Sequence, residues 1–91
     1  MYQLTRLSNG LIVASAQMPH MASVAVGLWV GVGGRYEPEP LSGAAHFIEH
    51  VLFKGTEKRT AKEISEAVEG VGGYLNAFTT EEHTCFHARA H

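Results

Sequence analysis

The sequence predicts an α+β domain, a mixed or antiparallel sheet with two helices packed on one face. Three observations predict it. β-prone runs occupy both ends of the chain, two stretches of helical periodicity lie together between them, and turn residues fall wherever the period changes. The resulting order is β-β-β-α-α-β-β. Ninety-one residues hold one hydrophobic core at most, so residues 1–91 are read as a single domain.

The elements follow in order. Tyr2 to Leu7 and Leu11 to Gln17 flank Ser8, Asn9 and Gly10, and Asn-Gly between two β-prone runs is a strong hairpin signal. Val24 to Val32 is apolar on both faces, which predicts a central strand covered on each side. Gly33 and Gly34 end it, and Glu37, Pro38, Glu39 and Pro40 mark a loop. A helix is predicted from near Ser42 to Lys54, with Gly55 as its C-terminal cap. Thr60 and Glu63 form a capping box, followed at helical spacing by Ile64, Ala67, Val68 and Val71. Gly70 to Gly73 stop that helix. Tyr74 to Thr79 and Thr84 to Ala90 are two further strands, joined across Thr80, Glu81, Glu82 and His83. Trp29 and Phe47 are expected in the core.

Composition excludes several function classes. At 45% hydrophobic and 18% charged the chain is globular in character. A net charge of −2 provides no basic excess for phosphates, so no nucleic-acid partner is expected. No apolar run is long enough to span a bilayer, so no membrane partner is expected, and residues 1–20 lack the features of a secretory signal. Cys85 is the only cysteine, which rules out an internal disulfide and favours a reducing compartment, hence a cytoplasmic location. A chain this small is marginal unless a metal or a partner helps it. Six histidines point to metal chemistry.

That chemistry concentrates in His46, Glu49 and His50. Residues four apart on a helix are neighbours, so His46 and His50 project side by side and can grip one Zn²⁺. Glu49 precedes the second imidazole and is placed to take a proton from a water that attacks a peptide carbonyl. The order His-x-x-Glu-His is that of the inverzincins. With six histidines and nine acidic residues, all of them Glu, chance matches number roughly 0.04. On the motif alone, a surface helix with solvated histidines remains the alternative.

The surroundings extend the pattern. Gly33 to Pro38, Ser42 to Thr56, and Gly72 to Thr84 match in order the blocks of the pitrilysin-type zinc metallopeptidase family. The chain therefore resembles the N-terminal part of that family, which includes insulin-degrading enzyme and the mitochondrial and bacterial processing proteases. The resemblance implies that His46 and His50 are zinc ligands and that Glu49 is the base. It also implies that Asn76, Ala77, Phe78 and Thr79 lie on an edge strand that a substrate peptide joins through main-chain hydrogen bonds. Asn76 would touch substrate as well, or else serve only as a turn or bulge residue after Gly73.

One departure stands out. Members of the family complete the metal site with a glutamate several tens of residues beyond the second histidine, which this chain does not reach. Three protein ligands plus water is the usual catalytic set. Glu81, Glu82, His83, His87 and His91 have ligand chemistry, but the resemblance puts the first three in a strand connection, and the last two read as a half-exposed strand face. The expected function is a zinc-dependent endopeptidase, or an N-terminal fragment of one, acting on peptides or unfolded polypeptides. The alternative is an inactive, truncated domain that serves as a binding or assembly module. Either way a homo-oligomer or a complementing C-terminal segment is expected.

Overall fold

The chain opens on the hairpin that Asn9 and Gly10 predict. Strands β1 (Tyr2–Arg6) and β2 (Ile12–Ala16) pair antiparallel, with Arg6 opposite Ile12. Gly10 takes a φ of +91°, which a side chain would resist, and the Leu11 amide donates to Asn9 Oδ1 at 3.0 Å. The structure is a computed structural model that describes residues 2–91.

A second, three-stranded antiparallel sheet is built from β3 (Val24–Val30), β4 (Tyr74–Thr79) and β5 (Thr84–Ala90), in the order β3-β5-β4. Its last connection is closed by the Thr80 amide donating to the His83 carbonyl at 2.8 Å. Thr80 Oγ1 accepts from the Glu82 and His83 amides, which fixes the turn. The strands thus form two sheets, the hairpin standing apart from the larger one.

Strand order corrects one expectation. β3 is not central; β5 is, because the final hairpin folds it back between β3 and β4. Among the described residues β3 pairs with β5 alone and is exposed from Val24 to Val30. Its apolar character on both faces therefore goes uncovered here. Trp29 and Phe47 likewise are not core residues, being 61% and 69% exposed. Trp29 stands on the sheet face opposite the helices, against Phe78 and His83. Phe47 lies on α1, where Ala45 and Glu49 take the inward positions.

The helices α1 (Ala44–Leu52) and α2 (Ala61–Glu69) both pack on one face of the larger sheet, α1 on β4 and β5, α2 on β4. Alternation along β4 follows from this: Leu75, Ala77 and Thr79 are half-buried toward the helices, while Tyr74, Asn76 and Phe78 are exposed. The capping box forms, Thr60 Oγ1 accepting from the Glu63 amide and Glu63 Oε1 from the Thr60 amide. Ile64 and Val68 turn toward the sheet; Ala67 and Val71 do not.

Helix α1 is shorter than the predicted Ser42–Lys54. Single 3-10 turns over Gly34–Tyr36 and Glu39–Leu41 use Pro38 and Pro40 where their missing N–H groups do no harm, and Gly43, with φ +88°, turns the chain into α1. At the other end Phe53 closes the helix, and Gly55 serves the following turn, bridged to Thr60. No helix among the described residues is long and apolar enough to cross a membrane. The buried side chains Ala45, Glu49, Thr84 and Cys85 mark where α1 meets the sheet and the layer just behind it.

Candidate metal centre

Helical spacing brings His46 and His50 together as expected from geometry. Their Nε2 atoms are 3.0 Å apart and their ring centroids 4.6 Å apart, both rings on the exposed side of α1. Glu49, one residue before His50, is turned toward the sheet and is only 8% exposed. A carboxylate so placed must be held by hydrogen bonds or a cation. The ion pairs among the described residues are Arg35–Glu82 and Lys62–Glu66, so no cation serves Glu49. Instead Thr79 Oγ1 donates to Glu49 Oε2 at 2.5 Å, within the range of a charge-assisted O–H···O bond. Thr84, 3% exposed, stands behind, its Oγ1 3.2 Å from the Val32 carbonyl and 3.4 Å from Thr79 Oγ1.

The start of α1 is anchored from outside the helix. Its first amides have no intrahelical partner, and Gly43 offers no side chain to cap them. The Glu37 carboxylate does so, accepting from the Gly43 amide at 2.8 Å and the Ala45 amide at 2.7 Å. A negative group at a helix N-terminus also opposes the helix dipole favourably. The same loop is tied to the β4–β5 turn, where the Arg35 amide donates to the Glu81 carbonyl at 2.8 Å. Gly33 permits that approach, since a Cβ there would meet the Thr80 carbonyl oxygen at 2.5 Å and the Glu81 carbonyl carbon at 2.6 Å. The surface pair of Arg35 with Glu82 adds little energy of its own. A cleft of about 330 Å³ opens between these segments, lined by Glu37, Ser42, His46, Thr79 and Glu81.

The donor set fits a zinc ion. Tetrahedral zinc, with Zn–N near 2.0–2.1 Å, separates two ligand nitrogens by about 3.3 Å. The imidazoles converge through the same nitrogen type at 3.0 Å, so a few tenths of an ångström of spread accommodates the metal. No group of three His, Cys, Asp or Glu side chains suited to a metal occurs among the described residues. Glu82 is paired with Arg35, His83 packs on Trp29 at 5.1 Å, and His87 packs on Tyr74 and Phe78. His91 follows the end of β5. Cys85, on β5, faces away from the helices beneath Trp29 and Phe78, and its burial pushes the thiol pKa up, which suits a packing residue and not a ligand thiolate.

The four strand residues singled out from the sequence divide between the two faces of β4. Ala77 and Thr79 face the helices; Asn76 and Phe78 face away from Glu49. Among the described residues β4 is an edge strand that pairs with β5 only. The Ala77 amide lies outside the ladder and donates to Asn76 Oδ1 at 2.8 Å, while Asn76 Nδ2 donates to the Tyr74 hydroxyl at 2.9 Å. The Asn76 side chain thus folds back along the open edge. Sequence reasoning missed the side-chain contact of Thr79 with Glu49, the backing by Thr84, and the cap from Glu37. Alternation in β4 places Thr79 on the helix face, but nothing local in the chain identifies its partner.

The family model described as insulinase (peptidase family M16) matches residues 12–91. A zinc protease of Mycobacterium leprae is 54% identical over 84 residues, covering 92% of this chain and 19% of that protein. The mitochondrial-processing peptidase subunit beta of Blastocladiella emersonii is 45% identical over 87 residues, covering 96% of this chain and 19% of that one. Among solved structures, a protease from Helicobacter pylori superposes with a TM-score of 0.90 at 32% identity, over 99% of this chain and 22% of that chain. Pitrilysin superposes with a TM-score of 0.85 at 33% identity, over 99% of this chain and 10% of that chain. The chain spans about a fifth of the length of the curated relatives it matches.

Proposed function

Because the chain belongs to the insulinase family (peptidase family M16), we propose that it carries the metal-gripping helix and the general base of a zinc endopeptidase. The observation that carries this reading is the convergence of His46 and His50 at 3.0 Å beside a nearly buried Glu49. His46 and His50, whose Nε2 atoms converge, would hold Zn²⁺, and a segment outside residues 1–91, or a second copy, would provide the third protein ligand. When bound, zinc supplies a Lewis acid that lowers the pKa of water to about 7 and polarises the scissile carbonyl.

The chain's own residues do the rest. Glu49 Oε2 is tied to Thr79, whereas Oε1 has no partner among the described residues and is not sealed from solvent. Oε1 accepts the proton of the attacking water, and the resulting carboxylic acid returns it to the leaving amine nitrogen. The open edge of β4, from Asn76 to Thr79, takes an extended peptide as an added strand, its main-chain groups fixing the register. Such recognition is indifferent to most side chains and suits an unfolded polypeptide substrate.

Metal analysis tests the assignment. His46→Ala/His50→Ala protein is expected to lose the zinc that the unaltered protein holds. Equal zinc stoichiometry in the two proteins would refute it.

A further inference from the structure

We propose that the side chain of Thr79 is a positioning residue for Glu49, holding its carboxylate so that Oε1 alone is presented to water. The proposal rests on the reading of Glu49 as the base and deepens it. Main-chain pairing of β4 with a peptide does not need this side chain, so the two roles of residue 79 are separable.

The geometry carries the argument. Thr79 is the last residue of β4 and lies directly opposite Thr84 in the β4–β5 register. Its hydroxyl reaches thirty residues back in sequence to Glu49 Oε2. A hydroxyl has one proton to give, and that proton is committed to the carboxylate. Its lone pairs remain free, and the nearest donor is Thr84 Oγ1 at 3.4 Å. Thr84 divides its single proton between that oxygen and the Val32 carbonyl, so the Thr79 hydroxyl is backed by the most buried polar side chain of the sheet. When Thr84 turns toward Thr79, each hydroxyl polarises the next toward Glu49.

The consequence is directional. Among the described residues no cation lies against Glu49, so this hydroxyl is the one group among them that compensates Oε2. Oε2 is thereby withdrawn from proton transfer, and the flexible glutamate side chain is restrained with Oε1 outward. A valine at position 79 keeps the shape of the side chain and removes the proton. Oε2 is then left half-covered and unpaired, which drives the carboxylate out of its place.

The test uses Thr79→Val and Thr79→Ser in the full-length protein. With zinc loaded, Thr79→Val is expected to lower kcat by about 10- to 100-fold, the scale of a small misplacement of a reacting group. KM and zinc stoichiometry stay unchanged, and Thr79→Ser restores kcat. A metal-free readout stands beside it, a double-mutant cycle on the thermal midpoint. Thr79→Val lowers the midpoint when Glu49 is present and leaves it unchanged in a Glu49→Ala background. Wild-type kcat in zinc-loaded Thr79→Val, or additive midpoint shifts in the cycle, overturns the proposal. A rise in KM at constant kcat also overturns it, assigning Thr79 to substrate binding alone. If Glu49→Gln is inactive while Thr79→Val is fully active, only this inference fails. If the unaltered protein shows no zinc-dependent hydrolysis, the functional reading fails and takes the inference with it.

Discussion

Glu49 on α1 and Thr79 on β4 are joined by a single hydrogen bond of 2.5 Å across thirty residues of sequence. That bond couples the helix bearing both candidate metal ligands to the strand whose outer edge is open. Displacing either element moves the carboxylate relative to the imidazoles or relative to a peptide on the edge.

Removing the base without disturbing the imidazoles separates chemistry from metal binding. Glu49→Gln keeps the side chain's shape and can still accept from Thr79. Peptide hydrolysis by the full-length protein should fall by about 10² to 10⁴, the usual contribution of a general base, while the zinc content holds. Peptidase assays run alongside metal analysis decide it. Undiminished turnover would remove Glu49 from the mechanism.

Glu37 caps α1 through both of its oxygens. Glu37→Ala leaves the Gly43 and Ala45 amides without those partners and should cost about 0.5–2 kcal/mol of stability, as cap losses do. The start of α1 carries His46, so zinc affinity should decline with it. Chemical denaturation and zinc titration of the variant provide the measurement, and wild-type values in both would show the cap to be dispensable.

Gly33 sits where the loop crosses the β4–β5 turn, with no room for a Cβ. The obstruction is backbone, which cannot swing aside as a flexible side chain does. Gly33→Ala should destabilise by about 1–3 kcal/mol, in line with overpacking elsewhere. A thermal midpoint equal to that of the unaltered protein would show that the loop yields freely.

Residues 1–91 prepared alone should associate. Val24, Val26, Leu28 and Trp29 are exposed, β3 and β4 each present an unpaired edge, and the buried apolar residues among those described are Ala45 and Cys85. Exposed apolar patches and free edges favour contact between copies, and two-fold dimers are the commonest closed outcome. Sedimentation equilibrium at about ten micromolar, a concentration at which weak association registers, checks this. A well-behaved monomer there contradicts it.

The features legible in the chain alone are local in origin. The i, i+4 spacing of His46 and His50 needs only a helix, and a helix needs only its own residues. The Asn9–Gly10 hairpin and the Thr60–Glu63 capping box are legible for the same reason, each closing within a few residues. The blocks around these features were enough to point to the family. Tertiary structure decided the remainder. Val24 to Val30 reads as a central strand because it is apolar on both faces, yet β5 takes the centre, since strand order depends on how the last hairpin folds back. Phe47 looks like core, yet the inward side of α1 belongs to Ala45 and Glu49, because helix rotation is set by the sheet beneath. The carboxylate's partner, Thr79, and the helix cap, Glu37, come from other elements. A hydrogen bond between distant segments leaves no periodic trace in the chain, because its geometry exists only once β4 and α1 are packed together.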